Sequence, residues 1–341
     1  MEPDLPVLNA ERAVLGAALL DPTTMTRVPW LGTIDWRQPY HAETWAVMRN
    51  IGPEVSAREF PHRVLAGLQG TDAARAVTAP RLHDMMAGCP HPNTVPYYAA
   101  MVVEGGTRRT LHDLGHHLQY VAERADDNGI EDTLDEAVHT KGQVDAVAER
   151  WHQVPEDLRD QLDKLATGPD QEVPWPTPPT IAHRHAEPQA ERAVIGAVLA
   201  NPDLLHQIGW LDPRDFGTPA LAGAWDAIHH LRRHGAPIDA VTLEWQLQHL
   251  GRELPPHGEL HRIAAEALPG LAEKHALVIG GGAALDRIDL AGRQLTVLAD
   301  AHQIPPVDVL GNAQTVVQQL PFDAERVVPR LPARAREPHR A

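Results

Sequence analysis

The sequence predicts an all-α chain built from two similar helical domains. Three observations carry that expectation. No segment of the 341 residues sustains the period-two alternation of a half-buried strand. Apolar residues recur instead at helical spacing, as in Val194, Ile195, Val198 and Leu199. A string of nine residues also returns 180 positions later. Glu11-Arg-Ala-Val-Leu-Gly-Ala-Ala-Leu19 matches Glu191-Arg-Ala-Val-Ile-Gly-Ala-Val-Leu199 at seven positions of nine.

The repeat continues beyond that string. At the same offset of 180, Pro22 falls on Pro202, Trp30-Leu31 on Trp210-Leu211, Asp35-Trp36 on Asp215-Phe216, and Trp45 on Trp225. Later Val55 meets Ile238 at 183, and Pro92 meets Pro269 at 177, with Gly115 on Gly292 and Leu118 on Leu295. Drifts of this size read as loop insertions and deletions. Two copies of this length read as a duplicated domain rather than a solenoid.

The second copy gives the clearer helices. Pro202 opens a short helix with Leu204, Leu205 and Ile208 on one side. From Pro219, Leu221, Trp225, Ile228 and Leu231 share a face, and Gly235 ends the helix. Asp239 reads as the N-cap of VTLEWQLQHLG, which closes at Gly251. A long helix from Leu271 to Ala301 follows. Between the copies, Ile130, Leu134, Ala137 and Val138 form one helical stripe. Pro155 restarts a helix with Glu156 and Asp157 in its first turn, where the helix dipole favours anions. The predicted division is a first helical domain over 1–125, acidic hairpin or linker helices over 126–167, and a Pro-rich flexible linker over 168–187. A second helical domain over 188–320 and a disordered basic tail over 321–341 complete it.

Charge and composition exclude several functions. Net charge is −16, from 30 Lys+Arg against 46 Asp+Glu. Residues 126–186 hold 5 cations and 14 anions, so more than half of that excess sits there. Such a balance disfavours non-specific nucleic-acid binding, which needs cations to displace counterions. No apolar run approaches the roughly 20 residues of a membrane span. The acidic start, MEPDLPVLNAE, has no signal-peptide pattern, so the expected location is the cytoplasm. One cysteine, Cys89, gives neither an intrachain disulfide nor a two-cysteine zinc site. The single serine, Ser56, has no GxSxG around it, and no GxxxxGK[ST] occurs.

These elements, taken in order, resemble a known family. ERAVxGAxLxxP, then DF or DW, then a Trp-bearing helix, then GAPIDAVTLEWQLQHLG is similar to the N-terminal domain of DnaB-type replicative helicases. The first copy adds Pro92-Asn93, Tyr97-Tyr98-Ala99, Glu104, Arg108-Arg109 with Leu111, and Gly115. It lacks a clear PID-type segment and has Pro53-Glu-Val-Ser56 there. The second copy has Pro269-Gly270 for Pro-Asn, and its Arg287 is displaced by one residue. The resemblance implies a helical bundle followed by a helical hairpin in each copy, with hairpins that pair in twos and a collar that contacts primase and loading factors. It does not carry helicase or ATPase activity over, because the family's motor is a separate C-terminal domain without counterpart in this sequence. Interface candidates by the resemblance are Tyr97, Arg108, Arg109, Leu111, Leu118, Arg287, Leu290 and Leu295.

The expected function is a non-catalytic interaction module of DNA replication, a primosome adaptor or modulator acting on a replicative helicase, primase or loader. No cofactor or metal is expected, and the two hairpins are expected to pair within the chain or between chains. The alternative is a DNA-associated accessory protein of a mobile element, using Arg326, Arg330, Arg334, Arg336 and Arg340. Other motifs read as structural. Gly16 and Gly196 are expected to let helices pack closely. Gly280-Gly-Gly282 lacks the lysine and strand of a phosphate loop and reads as a flexible joint. The pairs His112–His116 and His230–His234 have metal-ligand spacing but no evident third ligand. Trp30, Trp45, Trp210 and Trp225 read as core.

Overall fold

In the computed structural model, which describes residues 5–125, 129–166, 177, 179–181 and 183–331, the chain is all-α, and no strand occurs among the described residues. The first bundle comprises α1 (Leu5–Leu20), α2 (Pro39–Ile51), α3 (Phe60–Gly67) and α4 (Ala79–Ala87). The first hairpin follows, with α5 (Val95–Glu123) and α6 (Ile130–His152), and then α7 (Glu156–Ala166). The second bundle comprises α8 (Pro188–Ala200), α9 (Leu205–Ile208), α10 (Pro219–Arg233), α11 (Ala240–His249) and α12 (Glu259–Ala265). The second hairpin pairs α13 (Ala272–Asp300) with α14 (Pro306–Val317) and α15 (Leu320–Val327).

The two hairpins match arm for arm. Helices α5 and α13 each have 29 residues. The returning arm starts at Ile130 in one and Pro306 in the other, an offset of 176. At that offset Leu134, Ala137, Val144, Ala148 and Trp151 fall on Leu310, Ala313, Leu320, Ala324 and Val327, and all ten are buried. The arm is continuous in α6 and divided in the second hairpin. Asp145 of α6 falls on Pro321, which cannot donate the hydrogen bond that a helix interior needs.

The helices start and stop where local chemistry dictates. Asp239 accepts the Thr242 backbone N–H at 2.9 Å and caps α11. Gly235 and Gly251 sit at φ 64° and 61°, in the left-handed region that a residue with a Cβ resists, and close the ends of α10 and α11.

The chain forms two compact units, neither of them a continuous stretch. The first contains Met1–Leu114, Gly142–Thr177 and Leu295–Gln314. Its core includes Leu15, Leu19, Trp45, Met48, Phe60, Leu68, Leu82 and Met85, all fully buried. The second contains Gly115–Lys141, Pro178–Gln294 and Thr315–Ala341. Its core is built from Val194, Ile195, Val198, Ile208, Ala224, Trp225, Ile228, Leu243 and Leu247 with their neighbours. Each unit thus holds one bundle and the turn end of the other bundle's hairpin.

In the acidic stretch after residue 125, α6 buries one face, with Trp151 fully enclosed. Two expectations need correction. The tail does not begin at 321, since residues up to Leu331 fold as α15 and a short 3-10 turn. Residues 332–341 lie outside the described residues. The linker ends before His183. Buried Asp286 of α13 accepts the backbone N–H groups of Arg184 (2.9 Å) and His185 (3.2 Å), which pins that segment. Most of the Pro-rich stretch before it also lies outside the described residues.

Candidate protein interface

Each bundle is organised by the same four devices. The first is a buried glutamate in its opening helix. Glu11 accepts the Arg37 backbone N–H and lies 2.6 Å from His41 Nδ1. Glu191 accepts the backbone N–H groups of Gly217 (2.7 Å) and Thr218 (3.2 Å). Both carboxylates therefore cap the approach to the next long helix, where free N–H groups and the helix dipole favour a negative charge. The glutamate that opens the repeated string is a buried cap and not a surface ligand.

The second device is the glycine five residues on. A Cβ on Gly16 would collide with the Met85 carbonyl, and one on Gly196 with the Ile263 carbonyl. These glycines set how closely α4 approaches α1 and α12 approaches α8. The third is a buried tryptophan whose ring N–H finds a carbonyl. Trp45 donates to Leu31 at 3.2 Å and Trp225 to Leu211 at 2.9 Å. Trp30 and Trp210 are only half-buried, so the expectation of core packing fails for them. Arg330 lies over the Trp210 ring at 4.9 Å.

The fourth device is a buried aspartate clamped by arginine. Asp35 holds Arg150 of α6 through both carboxylate oxygens, and Arg109 donates to the Asp35 carbonyl at 2.9 Å. The bond to Asp35 raises the Arg150 pKa, while burial lowers that of Arg109. Asp215 holds Arg287 at 3.0 Å and also Arg326, while Asp323 holds Arg287 at 2.8 Å. Burial works against the Arg287 charge, but its two aspartates outweigh that and keep its pKa above the ordinary value.

This clamp relocates several expected site residues. Arg109 and Arg287 tie hairpin to bundle. Arg326, expected in a basic tail, is 12% exposed and stands 176 residues after Arg150 in the same role. Arg330 donates to the Arg326 carbonyl. Arg334, Arg336 and Arg340 lie outside the described residues. Sequence reasoning missed Arg150 and misplaced Arg326. The signal was available: both are arginines followed by a buried apolar residue, Trp151 and Val327, at one offset.

The remaining interface candidates divide. Leu111, Leu118 and Leu295 are fully buried, whereas Tyr97 and Leu290 are half-buried. Burial, then the nearby Glu104, pushes the Tyr97 hydroxyl pKa up. Leu290 lines a cleft of about 1000 Å³ in the second unit, with Arg214, Arg252, Phe322 and Arg326. Arg214 and Arg252 there are bound to Asp212 and Asp226. Arg108 joins the two hairpins. It is 4% exposed and meets Glu104 at 3.0 Å. Within the first unit it donates to the carbonyls of Ala301 (3.1 Å) and Ile304 (2.7 Å), in the turn of the second hairpin.

The glycines of the long arms supply the rest. Within the second unit, a Cβ on Gly292 of α13 would lie 2.5 Å from the Gly115 carbonyl of α5. The two arms touch there backbone to backbone. The run Gly280-Gly-Gly282 is neither a phosphate loop nor a joint. It lies inside α13, and its three missing Cβ atoms make room for the Trp210 ring, the Ile130 side chain and the His185 carbonyl.

Among the described residues, no three His, Cys, Asp or Glu groups form a metal-binding cluster. The rings of His230 and His234 stack 4.3 Å apart, and Asp226 accepts Arg252 at 2.7 Å. No helix among the described residues is long and apolar enough to cross a membrane.

Comparison with known families gives a match over the second bundle. Residues 183–276 match the DnaB-like helicase N terminal domain. This segment is similar to that domain. The match begins at His183, where the chain docks on Asp286, and ends in the first turns of α13. It thus covers the second bundle. No solved structure matches the chain. A DnaB-like N-terminal domain is a helicase-associated module of replication, distinct from the motor.

Proposed function

We propose that the chain is a non-catalytic interaction module of DNA replication, an adaptor or modulator that engages a replicative helicase, a primase or a helicase loader. The observation that carries this is the family match of the second bundle. In the same reading, the first bundle with its hairpin is a second copy of that domain. The glutamate cap, glycine notch, tryptophan bond and aspartate clamp at equivalent positions support it. The two hairpins form an intrachain pair, a tethered version of the pairing that the resemblance implies between separate chains. The Gly115–Gly292 contact and the Arg108 bonds support it. Tethering raises the effective concentration of each hairpin for the other to about the millimolar range. A pair closed in this way presents its bundles to other proteins without recruiting a second chain.

The test is affinity capture of the tagged chain from its own host at low salt, with mass spectrometry of the bound proteins. The expected result is enrichment of the replicative helicase, primase or loader over a control in which the second bundle is unfolded by Trp225→Asp. Equal recovery in both samples, or absence of all three proteins, would overturn the adaptor reading.

A further inference from the structure

We infer that the hairpin interface selects for unlike partners, so that the first hairpin fits the second better than either fits a copy of itself. The inference rests on the intrachain pairing proposed above and adds what makes that pairing specific. The crossing point is neutral, because Gly115 and Gly292 stand at equivalent positions and either can face the other. Selection comes from the flanking contacts, where the hairpins differ.

The first flank lies in the second unit. A Cβ on Gly281 of α13 would lie 2.5 Å from Ile130 Cδ1, so the missing side chain is the hole that receives Ile130. The residue equivalent to Gly281 in the first hairpin, 177 positions earlier, is Glu104. The residue equivalent to Ile130 in the second hairpin, 176 positions later, is Pro306. Two first hairpins brought together would therefore set Ile130 against Glu104. A carboxylate and a longer side chain would occupy space that is now filled by isoleucine, and overpacking of this kind destabilises an interface.

The second flank lies in the first unit. Arg108 satisfies the carbonyls of Ala301 and Ile304 and is itself neutralised by Glu104. The residue equivalent to Arg108, 177 positions later, is Leu285. Leu285 lines a hollow in the second unit with Ala125, Ile130 and Leu277, and the charged Glu273, Lys274 and Arg330 also line it. Two second hairpins brought together would set Leu285 against the Ala301 and Ile304 carbonyls. That removes the Arg108 donor from the Ile304 carbonyl and leaves the Ala301 carbonyl only the Ile304 N–H at 3.0 Å, and a buried carbonyl that loses its partner is costly. The same pairing would set Pro306 over Gly281 and leave the hole unfilled. Each like pairing thus carries a defect that the unlike pairing lacks, which is selection by penalty against the wrong partner.

The experiment uses the full chain and its swapped variants, read by hydrogen exchange and light scattering. Wild type is expected at the mass of one chain, with both hairpin turns, 115–141 and 295–314, protected. Unprotected turns would overturn the pairing itself. Given protected turns, Gly281→Glu is expected to speed exchange over 130–141 by about tenfold, with the second bundle at 240–265 unchanged. Gly281→Glu with Ile130→Pro places at this flank the residues that stand at the equivalent positions of the other hairpin, Glu104 and Pro306, and is expected to restore most of the protection. Equal exchange in the single and double variants would overturn the selectivity and leave the pairing standing. Arg108→Leu gives an independent reading should Gly281→Glu disturb α13 as a whole. It is expected to speed exchange over 298–309 by about tenfold, and no change there would also overturn the selectivity.

Discussion

The two bundles solve one problem with different numbers of charges. In the first, the buried carboxylate of Asp35 meets one guanidinium, Arg150, and Arg109 is left to the backbone carbonyl. In the second, Asp215 meets two, Arg287 and Arg326, and a second buried acid, Asp323, balances them. The reason lies in the returning arm. Helix α6 is unbroken and delivers Arg150 from a rigid rod. The second arm is divided ahead of α15, and that helix is held by a four-membered ionic cluster instead. Between these two bundles, helical continuity is exchanged for electrostatic anchoring, with a partner kept for every buried charge of the clamp.

The largest test of this comparison is removal of the two aspartates. Asp215→Ala leaves Arg326 without its acid and Arg287 with one of two, and is expected to cost about 3–5 kcal/mol. Asp35→Ala removes the acid of one guanidinium, Arg150, which keeps the Trp30 carbonyl at 3.2 Å, is 26% exposed and can turn to water, so its cost is expected nearer about 2 kcal/mol. Denaturant unfolding of both variants checks the order, and equal losses would break the comparison. Next come the notch glycines, where the bundles are alike. Gly16→Ala and Gly196→Ala each drive a methyl group into backbone carbonyl, and each is expected to cost about 1–3 kcal/mol. A neutral result at one site alone would show that its bundle is looser there.

Smaller effects sharpen the picture. Trp45→Phe and Trp225→Phe each remove one buried hydrogen bond, at about 1 kcal/mol, and differential scanning calorimetry resolves them as similar drops in Tm. The smallest expected effect concerns Asp163 of α7. Burial first, then Glu104, Asp308 and Asp160, push its pKa from 3.8 up to about 6. The folded chain therefore holds this proton more tightly than the unfolded chain. Stability from this group is full below about pH 4 and is lost as pH rises through about 6. Asp163→Asn is thus expected to raise Tm by about 1–3 °C at pH 7.5, with the gain vanishing near pH 4. A gain that persists at pH 4 would place its origin outside this titration.

Much of the fold was legible from residues alone. The starts of α10 and α11, the ends at Gly235 and Gly251, and the long arm from Leu271 follow from capping, glycine conformation and apolar spacing. All of these act within a few residues of chain. The close packing at Gly16 and Gly196 was legible too, because a glycine inside an apolar helix has few other uses. The candidate site was less so. Arg108 bonds the Ala301 and Ile304 carbonyls, whereas Arg109 and Arg287 turn inward to the Asp35 and Asp215 loops. One helical step separates a residue that joins hairpins from one that joins a hairpin to its bundle, and sequence spacing does not say which side faces which neighbour.

By itself, the sequence determined what is local or periodic. It determined that the chain is helical, that the string at Glu11 returns at Glu191, where most helices begin and end, and which family the second bundle resembles. Tertiary structure decided everything that depends on which distant surfaces meet. It made Arg326 an ion-pair partner and not part of a tail, and made Gly280-Gly-Gly282 a packing surface and not a joint. It set Ile130 into the hole at Gly281 and aimed Arg108 at Ala301 and Ile304. The physical reason is one of range. Caps and helical faces are fixed by hydrogen bonds a few residues apart. An ion pair of the aspartate clamps, or Ile130 in the hole at Gly281, joins residues from 36 to more than a hundred apart, and its partner exists only once the chain has folded.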